Sequence, residues 1–125
     1  MIRGIRGATT VEHDDAEEIL ARTGELLLDM ARANQIEPDM ISSICFTLSP
    51  DLHATFPAEA ARRVGWRYVP VICMRELDVP HGLPKTIRVL MHAETSRRPE
   101  QVQHVYRGRA VSLREDLDPD VSARG

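Results

Sequence analysis

The residues YVPVICMRELDVPHGLPKTIRVLMHAE, 68–94 of the chain, decide the fold because they predict two strands joined by a loop. Residues 68–74 are apolar and rich in β-branched side chains, a composition typical of a buried strand. Two prolines and one glycine in residues 79–84 predict a loop. In residues 87–93, apolar side chains on one face alternate with a more polar second face, which predicts another strand.

Two charged residues stand where a purely structural sheet would favour apolar side chains. Glu76 follows the first strand, and Arg88 begins the second, on the same face as Leu90. A charge at the end of an apolar strand is either solvated at the edge of the sheet or directed into a binding cavity. The two strands alone leave both interpretations open.

The rest of the chain predicts an α+β fold, in which one long amphipathic helix packs on a mixed β-sheet. The helix, residues 14–34, begins with a capping aspartate at 14 or 15 and has an apolar stripe of Ile19, Leu20, Thr23, Leu26, Leu27, Met30 and Ala31. Further elements are predicted as strands at 1–11, 41–48, 102–106 and 110–113, and as a short helix at 58–64. No element covers the second face of the sheet, so we expect the chain to form an oligomer.

The length predicts a single domain, residues 1–115, followed by an acidic tail, residues 116–125, that we expect to be mobile. A net charge of −3 and a pI of about 5.9 disfavour nucleic acid as a partner. The sequence has neither an apolar run long enough to span a membrane nor an apolar signal segment, so we expect no membrane association. Cys45 and Cys73 stand isolated in apolar strand sequence, which is typical of buried thiols in a cytoplasmic protein.

Common catalytic motifs are missing from the sequence. The five histidines have no metal-ligand spacing, and no phosphate-binding glycine loop is present. Cys73 is more typical of an inert core thiol than of a nucleophile, and Asp51 and His53 are more typical of a turn than of an acid–base pair. The candidates that remain are anion-binding side chains near predicted strand ends, with Glu76 among them: Arg6, Arg62, Arg88, Tyr106 and Arg114. Because fifteen of the sixteen Lys and Arg residues are arginine, the pattern alone does not distinguish a site from ordinary surface arginines.

Four stretches carry a resemblance to a known family: IRGIRGATTVE (2–12), SPDLHATFPAEAAR (49–62), WRYVPVICMRELDVPHGLPKTIRVL (66–90) and HVYRGRAVSLREDL (104–117). In order and spacing they resemble the trimeric chorismate mutases of the mixed α/β type, which are distinct from the all-helical class. The resemblance implies a homotrimer whose sheets pack into a pseudo-barrel core, with active sites at the subunit interfaces. It also implies conversion of chorismate to prephenate, on the route to phenylalanine and tyrosine, by a pericyclic Claisen rearrangement that needs neither cofactor nor metal.

The same resemblance implies roles for individual residues. Arg88 would stabilise the negative charge that develops on the ether oxygen of the breaking C–O bond. Arg6 and Tyr106 would bind the side-chain carboxylate and hold the compact conformer, while Glu76 would accept a hydrogen bond from the ring hydroxyl. The backbone carbonyl of Cys73 would lie beside Glu76 at the ring hydroxyl. The remaining site residues would form the walls of the pocket, Phe56, Ala58, Val71, Ile72 and Leu113, and its mouth, Arg62 and Arg114.

The chain departs from the family pattern at Glu59, where lysine is frequent, and at Ile72, where threonine is common; the turn at 63–65 is one residue short. Two other functions are alternatives: a trimeric binding module for small carboxylates, and a protein like the trimeric enamine/imine deaminases. A binding module would tolerate loss of Glu76 and Arg88, and a deaminase would need a positioned water. The presence of both residues together with Arg6 favours the mutase.

Overall fold

The computed structural model describes residues 1–113, which form one mixed five-stranded sheet with a long helix packed on it. The strands lie in the order β3-β2-β4-β1-β5. Their bounds are β1, Ile2–Thr10; β2, Ile41–Leu48; β3, Val71–Arg75; β4, Thr86–Glu94; and β5, Val105–Tyr106. The helices are α1, Ala16–Asn34; α2, Glu59–Arg63; and three 3-10 helices, Pro38–Met40, Pro99–Gln101 and Gly108–Leu113. The predicted α+β class is confirmed.

Strand β4 is the centre of the sheet and sets the register of its neighbours. It pairs antiparallel with β1 along nine residues, from Ile2 opposite Glu94 to Thr10 opposite Thr86. It also pairs antiparallel with β2, where an irregularity interrupts the register near Ile41. Strands β3 and β5 add parallel pairings at the two edges. The predicted alternation along β4 is confirmed: Ile87, Val89, Met91 and Ala93 are buried, whereas Arg88 and Leu90, on the other face, are exposed.

Helix α1 covers one face of the sheet as predicted. The side chain of Asp15 accepts a hydrogen bond from the Glu18 backbone N–H at 3.0 Å, and the helix ends at Gln35, whose φ of 56° is left-handed. Every residue of the predicted apolar stripe is buried. Gly7 of β1 lies directly beneath Met30, whose sulfur would overlap a Cβ at that position, so this strand and helix are in close contact.

The main hydrophobic core lies between α1 and the sheet, and its largest fully buried members include Phe46, Ile5, Ile44, Met91 and Leu27. The opposite face of the sheet is largely uncovered by residues 1–113. It has only a small cluster at its β5 end, in which the 3-10 helix packs Ala110 over Ala8 and Tyr106. Within residues 1–113, neither α-helix combines the length and the hydropathy that a membrane span requires.

The strand predicted at 102–106 is limited to Val105–Tyr106, and two other strand predictions are wrong. Residues 68–74 do not form a buried strand: β3 begins at Val71 and lies at the edge of the sheet, with Val71 and Ile72 exposed. Residues 110–113 are not a strand but belong to the 3-10 helix, because Gly108, at a φ of 58°, turns the chain and the Thr10 hydroxyl accepts a hydrogen bond from the Arg109 N–H at 3.0 Å. The two thiols, Cys45 and Cys73, are half-buried rather than buried. The tail and Arg114 lie outside the described residues.

Candidate active site

A cavity of about 600 Å³ opens on the uncovered face of the sheet, on the side away from α1. All four residues predicted to carry the chemistry line it: Arg6, Glu76, Arg88 and Tyr106. The predicted wall residue Leu113 lines it as well. Other lining side chains were not predicted as site residues, namely Cys45, Thr47, Met74, Leu90 and Ser112.

Strand register explains why these side chains meet. Ala8 lies opposite Arg88 in the β1–β4 pair and beside Tyr106 in the β1–β5 pair. On the other side of β4, Thr47 of β2 lies opposite Arg88. Because directly paired residues project to the same face of a sheet, strands β2, β4, β1 and β5 converge on the cavity at this level.

Arg88, Glu76 and Thr47 form a connected group in this cavity. Glu76 extends the end of β3, since its backbone N–H donates to the Leu48 carbonyl at 2.8 Å. One of its carboxylate oxygens, Oε2, accepts a hydrogen bond from the Thr47 hydroxyl at 2.6 Å and lies 3.7 Å from Nε of Arg88. The site therefore contains a cation and a carboxylate side by side, both with side chains more than a third exposed in the single chain.

Arg6 and Tyr106 lie on the adjacent strands β1 and β5, and both line the cavity. The Arg6 backbone N–H donates to Nδ1 of the His104 ring at 2.9 Å, which continues the short β1–β5 ladder by one step. Tyr106 is buried beneath the 3-10 helix, in contact with Ala8 and Ala110. The guanidinium and the phenol therefore lie on adjacent strands that are fixed by both backbone and side-chain hydrogen bonds.

The other predicted wall residues line a second cavity, also of about 600 Å³, at the β3 edge of the sheet: Phe56, Ala58, Arg62, Val71, Ile72 and Cys73, together with Glu59 and Arg63. The two cavities have no lining residue in common among residues 1–113. The second cavity contains two arginines, Arg62 and Arg63. Arg63 forms a bidentate ion pair with Glu17, with both hydrogen bonds at 2.9 Å. Arg62 has no carboxylate partner within residues 1–113, and its guanidinium is available to a ligand.

Cys73 lies in the second cavity but lacks the environment of a nucleophile. Burial raises the pKa of its thiol, and a hydrogen bond with the Ala58 backbone only partly opposes that effect. The side chain packs against the main core. A thiol with a raised pKa holds little thiolate at neutral pH, which agrees with the predicted inert role.

Sequence reasoning missed Thr47, the hydrogen-bond donor to Glu76. Thr47 and Cys45 are two residues apart in β2 and share a face of the strand, but only the pairing of β2 with β4 brings Thr47 beside Arg88. Asp51 is a turn residue, as predicted, because its carboxylate accepts hydrogen bonds from Ser49 and from the Lys85 backbone. No three histidine, cysteine or carboxylate side chains in residues 1–113 are arranged to bind a metal ion.

The fold and the cavity define a class of protein: a small α+β sheet protein with an arginine- and carboxylate-lined site on its open face. The family model described as chorismate mutase type I matches residues 2–117. The chain belongs to this family, as its sequence resemblance predicted. The fold is accordingly that of the mixed α/β chorismate mutases and not of the all-helical class.

Two curated relatives and one solved structure are closely similar to the chain. Chorismate mutase AroH of Bacillus subtilis is 51% identical over 118 residues, which cover 94% of this chain and 93% of the relative. Chorismate mutase AroH of Thermus thermophilus is 48% identical over 119 residues, 94% of this chain and 98% of the relative. A chorismate mutase structure from Clostridium thermocellum matches with a TM-score of 0.86 and 49% identity, and covers 89% of this chain and 99% of the other.

Proposed function

We propose that this protein catalyses the intramolecular Claisen rearrangement of chorismate to prephenate, at sites shared between neighbouring copies in a homotrimer. Family membership supports the reaction. The observation that carries the shared site is that one chain has two incomplete cavities with complementary linings. One contains the cation, the carboxylate and the phenol, and the other contains an exposed aromatic ring and an arginine that has no carboxylate partner within residues 1–113.

Arg88 is the electrostatic centre of the proposed mechanism. As the ether C–O bond breaks ahead of C–C bond formation, electron density accumulates on the ether oxygen. A fixed cation beside that oxygen stabilises the transition state more than the ground state, which lowers the barrier. No proton is transferred and no covalent enzyme intermediate forms, so the reaction requires position and charge rather than a nucleophile or a base.

Arg6 and Tyr106 supply conformational restriction. Chorismate is a dianion whose side chain must fold over the ring before its two reacting carbons can meet. A guanidinium and a phenol on adjacent strands can hold the side-chain carboxylate in that compact conformer. The conformational entropy of the chorismate side chain is then lost on binding and not in the chemical step.

Glu76 orients both the enzyme and the substrate in this proposal. Its Oε2 is occupied by Thr47 and lies near Arg88, while its second oxygen is left to accept the ring hydroxyl of chorismate. The carboxylate also holds the guanidinium from one side and so limits its rotation. Thr47 has a supporting role, because its hydroxyl fixes the rotamer of Glu76.

A neighbouring copy would complete the site by covering it. The Arg88 side chain is 44% exposed in a single chain, and water would screen its charge. Ile72, Met74 and Leu90 leave an apolar surface exposed around the same region of the sheet. Seating the second cavity of one copy against the first cavity of another would bury this surface and lower the local dielectric around the arginine. Arg62 of the second cavity, together with Arg114, would then bind the ring carboxylate.

We also propose a cytoplasmic location. Cys45 and Cys73 are both free and half-buried. Free thiols are typical of proteins that work in a reducing compartment.

Activity is tested by mixing the protein with chorismate and following the loss of its absorbance and the appearance of prephenate. Turnover with saturation supports the function. Binding of chorismate without turnover would instead identify a carboxylate-binding module. Light scattering at micromolar protein should give the mass of a trimer, and a fully active monomer would exclude the shared site.

The shared site itself is tested by subunit complementation. Arg88→Ala disables the first cavity and Arg62→Glu the second, so each variant alone should be weakly active. Refolding the two together should restore activity, because random mixing gives about one site in four with both halves intact. The matched control mixes Arg88→Ala with Arg6→Ala, which lie in the same cavity; this pair should restore nothing. Equal recovery in both mixtures, or in neither, would contradict a site built from two copies.

A further inference from the structure

The turn that follows β2, residues 49–52, is hydrogen-bonded to the beginning of β4. Both carboxylate oxygens of Asp51 accept the Lys85 backbone N–H, at 3.1 and 3.0 Å. The Ser49 hydroxyl donates to Asp51 at 2.5 Å and accepts the Thr86 N–H at 2.9 Å. The Ser49 backbone N–H donates to the Thr86 carbonyl at 2.9 Å. Ser49 and Thr86 are buried, so the hydrogen bonds between these two residues are shielded from water, while the Asp51–Lys85 bonds lie at the surface.

The backbone conformation of Lys85, just before β4, depends on hydrogen bonds with residues outside the strand. Its φ of 50° lies in the left-handed region, which a side-chain-bearing residue occupies only when its surroundings hold it there. Asp51 binds its N–H, and its carbonyl accepts the Val11 N–H at 3.0 Å. Arg88 follows three residues later, so the direction in which β4 leaves Lys85 sets the position of the Arg88 Cα.

The same turn also holds the end of β3. Nη1 of Arg75 donates to the Ser49 carbonyl at 2.9 Å and to the Leu52 carbonyl at 2.7 Å. Arg75 is the last residue of β3 and directly precedes Glu76. The turn at residues 49–52 is therefore hydrogen-bonded both to the backbone of β4 just before Arg88 and to the side chain of Arg75, the residue before Glu76.

We propose that the turn at residues 49–52 positions Arg88 and Glu76 relative to each other. Asp51 is the positioning residue, because its hydrogen bonds attach the turn to the beginning of β4. The inference rests on the proposed function, because the distance between that cation and carboxylate matters only for a bound substrate. Asp51 itself does not touch the substrate in this proposal. It acts through the backbone of β4, and its loss leaves the guanidinium present but less well fixed.

The consequence for catalysis is a fall in kcat with little change in KM. Substrate binding in the proposed function depends mainly on Arg6, Tyr106 and the second cavity, and residues 49–52 line neither of the two cavities that contain them. Misplacing a charge by about 1 Å relative to the breaking bond can reduce the rate by about 10²-fold. We expect Asp51→Ala to lower kcat by about 10- to 100-fold while KM changes less than about threefold. Asp51→Asn retains an oxygen that can accept the Lys85 N–H and should recover most of that loss.

A double-mutant cycle with Arg88→Lys separates positioning from general stability. A lysine ammonium on its flexible stem is less dependent on the direction of the backbone, so in the Arg88→Lys background Asp51→Ala should reduce kcat by no more than about twofold. Asp39→Ala, at an exposed aspartate in the 3-10 helix before β2, is the matched control and should leave kcat unchanged in both backgrounds. If Asp51→Ala does not fold, Ser49→Ala takes its place in the cycle, since it removes the hydroxyl that joins Asp51 to Thr86.

The outcomes distinguish this inference from the proposed function. A wild-type chain that does not convert chorismate overturns the proposed function, and the inference with it. An active wild-type chain whose kcat is unaffected by Asp51→Ala overturns the inference alone. Equal losses in the Arg88 and Arg88→Lys backgrounds also overturn it, because they would show a structural effect that does not act through Arg88.

Discussion

Arg88 and Glu76 meet across an intervening strand: Nε of Arg88 lies 3.7 Å from Oε2 of Glu76, although β2 separates β4 from β3. The gap is bridged by Thr47, whose hydroxyl donates to that same oxygen at 2.6 Å. The free chain therefore has its cation partly neutralised by a carboxylate. A dianionic substrate brings further negative charge to the site, which the arginine can stabilise without leaving its partner.

Removal of the Arg88 cation should lower turnover far more than stability. Arg88→Ala is expected to reduce kcat by at least about 10²–10³-fold, since loss of one neutral donor of this kind already has that effect. Replacement by citrulline, which keeps the shape and hydrogen bonds but removes the charge, should also lose most of kcat while the protein folds and binds chorismate. The measurement is steady-state loss of chorismate absorbance.

Arg22 offers a matched control for that experiment. Its side chain is 44% exposed, as is that of Arg88, and it also pairs with a glutamate, Glu25, at 3.0 Å. It lies on α1, away from both cavities of the proposed site. Arg22→Ala should leave kcat unchanged, and an Arg88 variant that behaved the same way would remove Arg88 from the mechanism.

The turnover number should be nearly independent of pH between about 6 and 8 and should show little solvent isotope effect. The rearrangement moves no proton, so no acid or base has to be in one protonation state. Initial rates at saturating chorismate in H₂O and D₂O across this range provide the measurement. A bell-shaped profile with two titrations would indicate acid–base chemistry and would favour a deaminase-like reaction.

Gly7→Ala should destabilise the protein through the contact between β1 and α1. A Cβ at Gly7 would overlap the sulfur of Met30, which is fully buried, so the methionine side chain would have to shift within the core. Overpacking of this kind typically costs about 1–3 kcal/mol. At Gly4 of the same strand, a Cβ would meet only Leu90, at an ordinary distance of 3.5 Å, so Gly4→Ala should change stability by less than about 1 kcal/mol. Thermal midpoints at one fixed protein concentration should separate the two variants, and equal midpoints would refute the close contact.

Acid should weaken the turn at Asp51. Burial raises the pKa of the Asp51 carboxyl, but hydrogen bonds from the Ser49 hydroxyl and the Lys85 N–H outweigh it and leave the pKa below its ordinary value of 3.8. A carboxylate with a lowered pKa in the folded state stabilises the fold above that ordinary value, and the contribution is lost as the pH falls through the lower folded value. The difference in unfolding free energy between wild type and Asp51→Asn should therefore be constant above about pH 5 and shrink below pH 4. Asp39→Asn controls for the loss of one negative charge, and a difference that grew on acidification would contradict the assignment.

Local sequence pattern predicted the parts of the fold that depend on periodicity. The apolar stripe of α1 and the alternation that exposes Arg88 and Leu90 follow from spacings of 3.6 and 2 residues, and both predictions are confirmed. Strand pairing is a non-local property, and no periodicity within β2 indicates that Thr47 lies beside Glu76. Family resemblance, rather than pattern, selected the site residues among many arginines.

The two wrong strand predictions have physical causes that sequence pattern does not record. Residues 71–74 are apolar, which predicted a buried strand, but apolar composition does not record where a strand lies in the sheet, and β3 is an exposed edge strand. Residues 110–113 have strand-like composition, but the left-handed Gly108 and the hydroxyl of Thr10 favour a 3-10 turn over extension of the sheet. Tertiary contacts outweigh propensity in such short segments.

Lys85, held by Asp51 at the entrance to β4, is the only lysine in the sequence. An amine-specific crosslinker with two reactive ends therefore cannot join two lysine side chains of one chain. Any lysine–lysine crosslink identified by mass spectrometry must connect two copies, with Lys85 at both ends. Linkers of graded length would then measure how far apart the entrances of neighbouring β4 strands lie, with no substitution introduced into the protein.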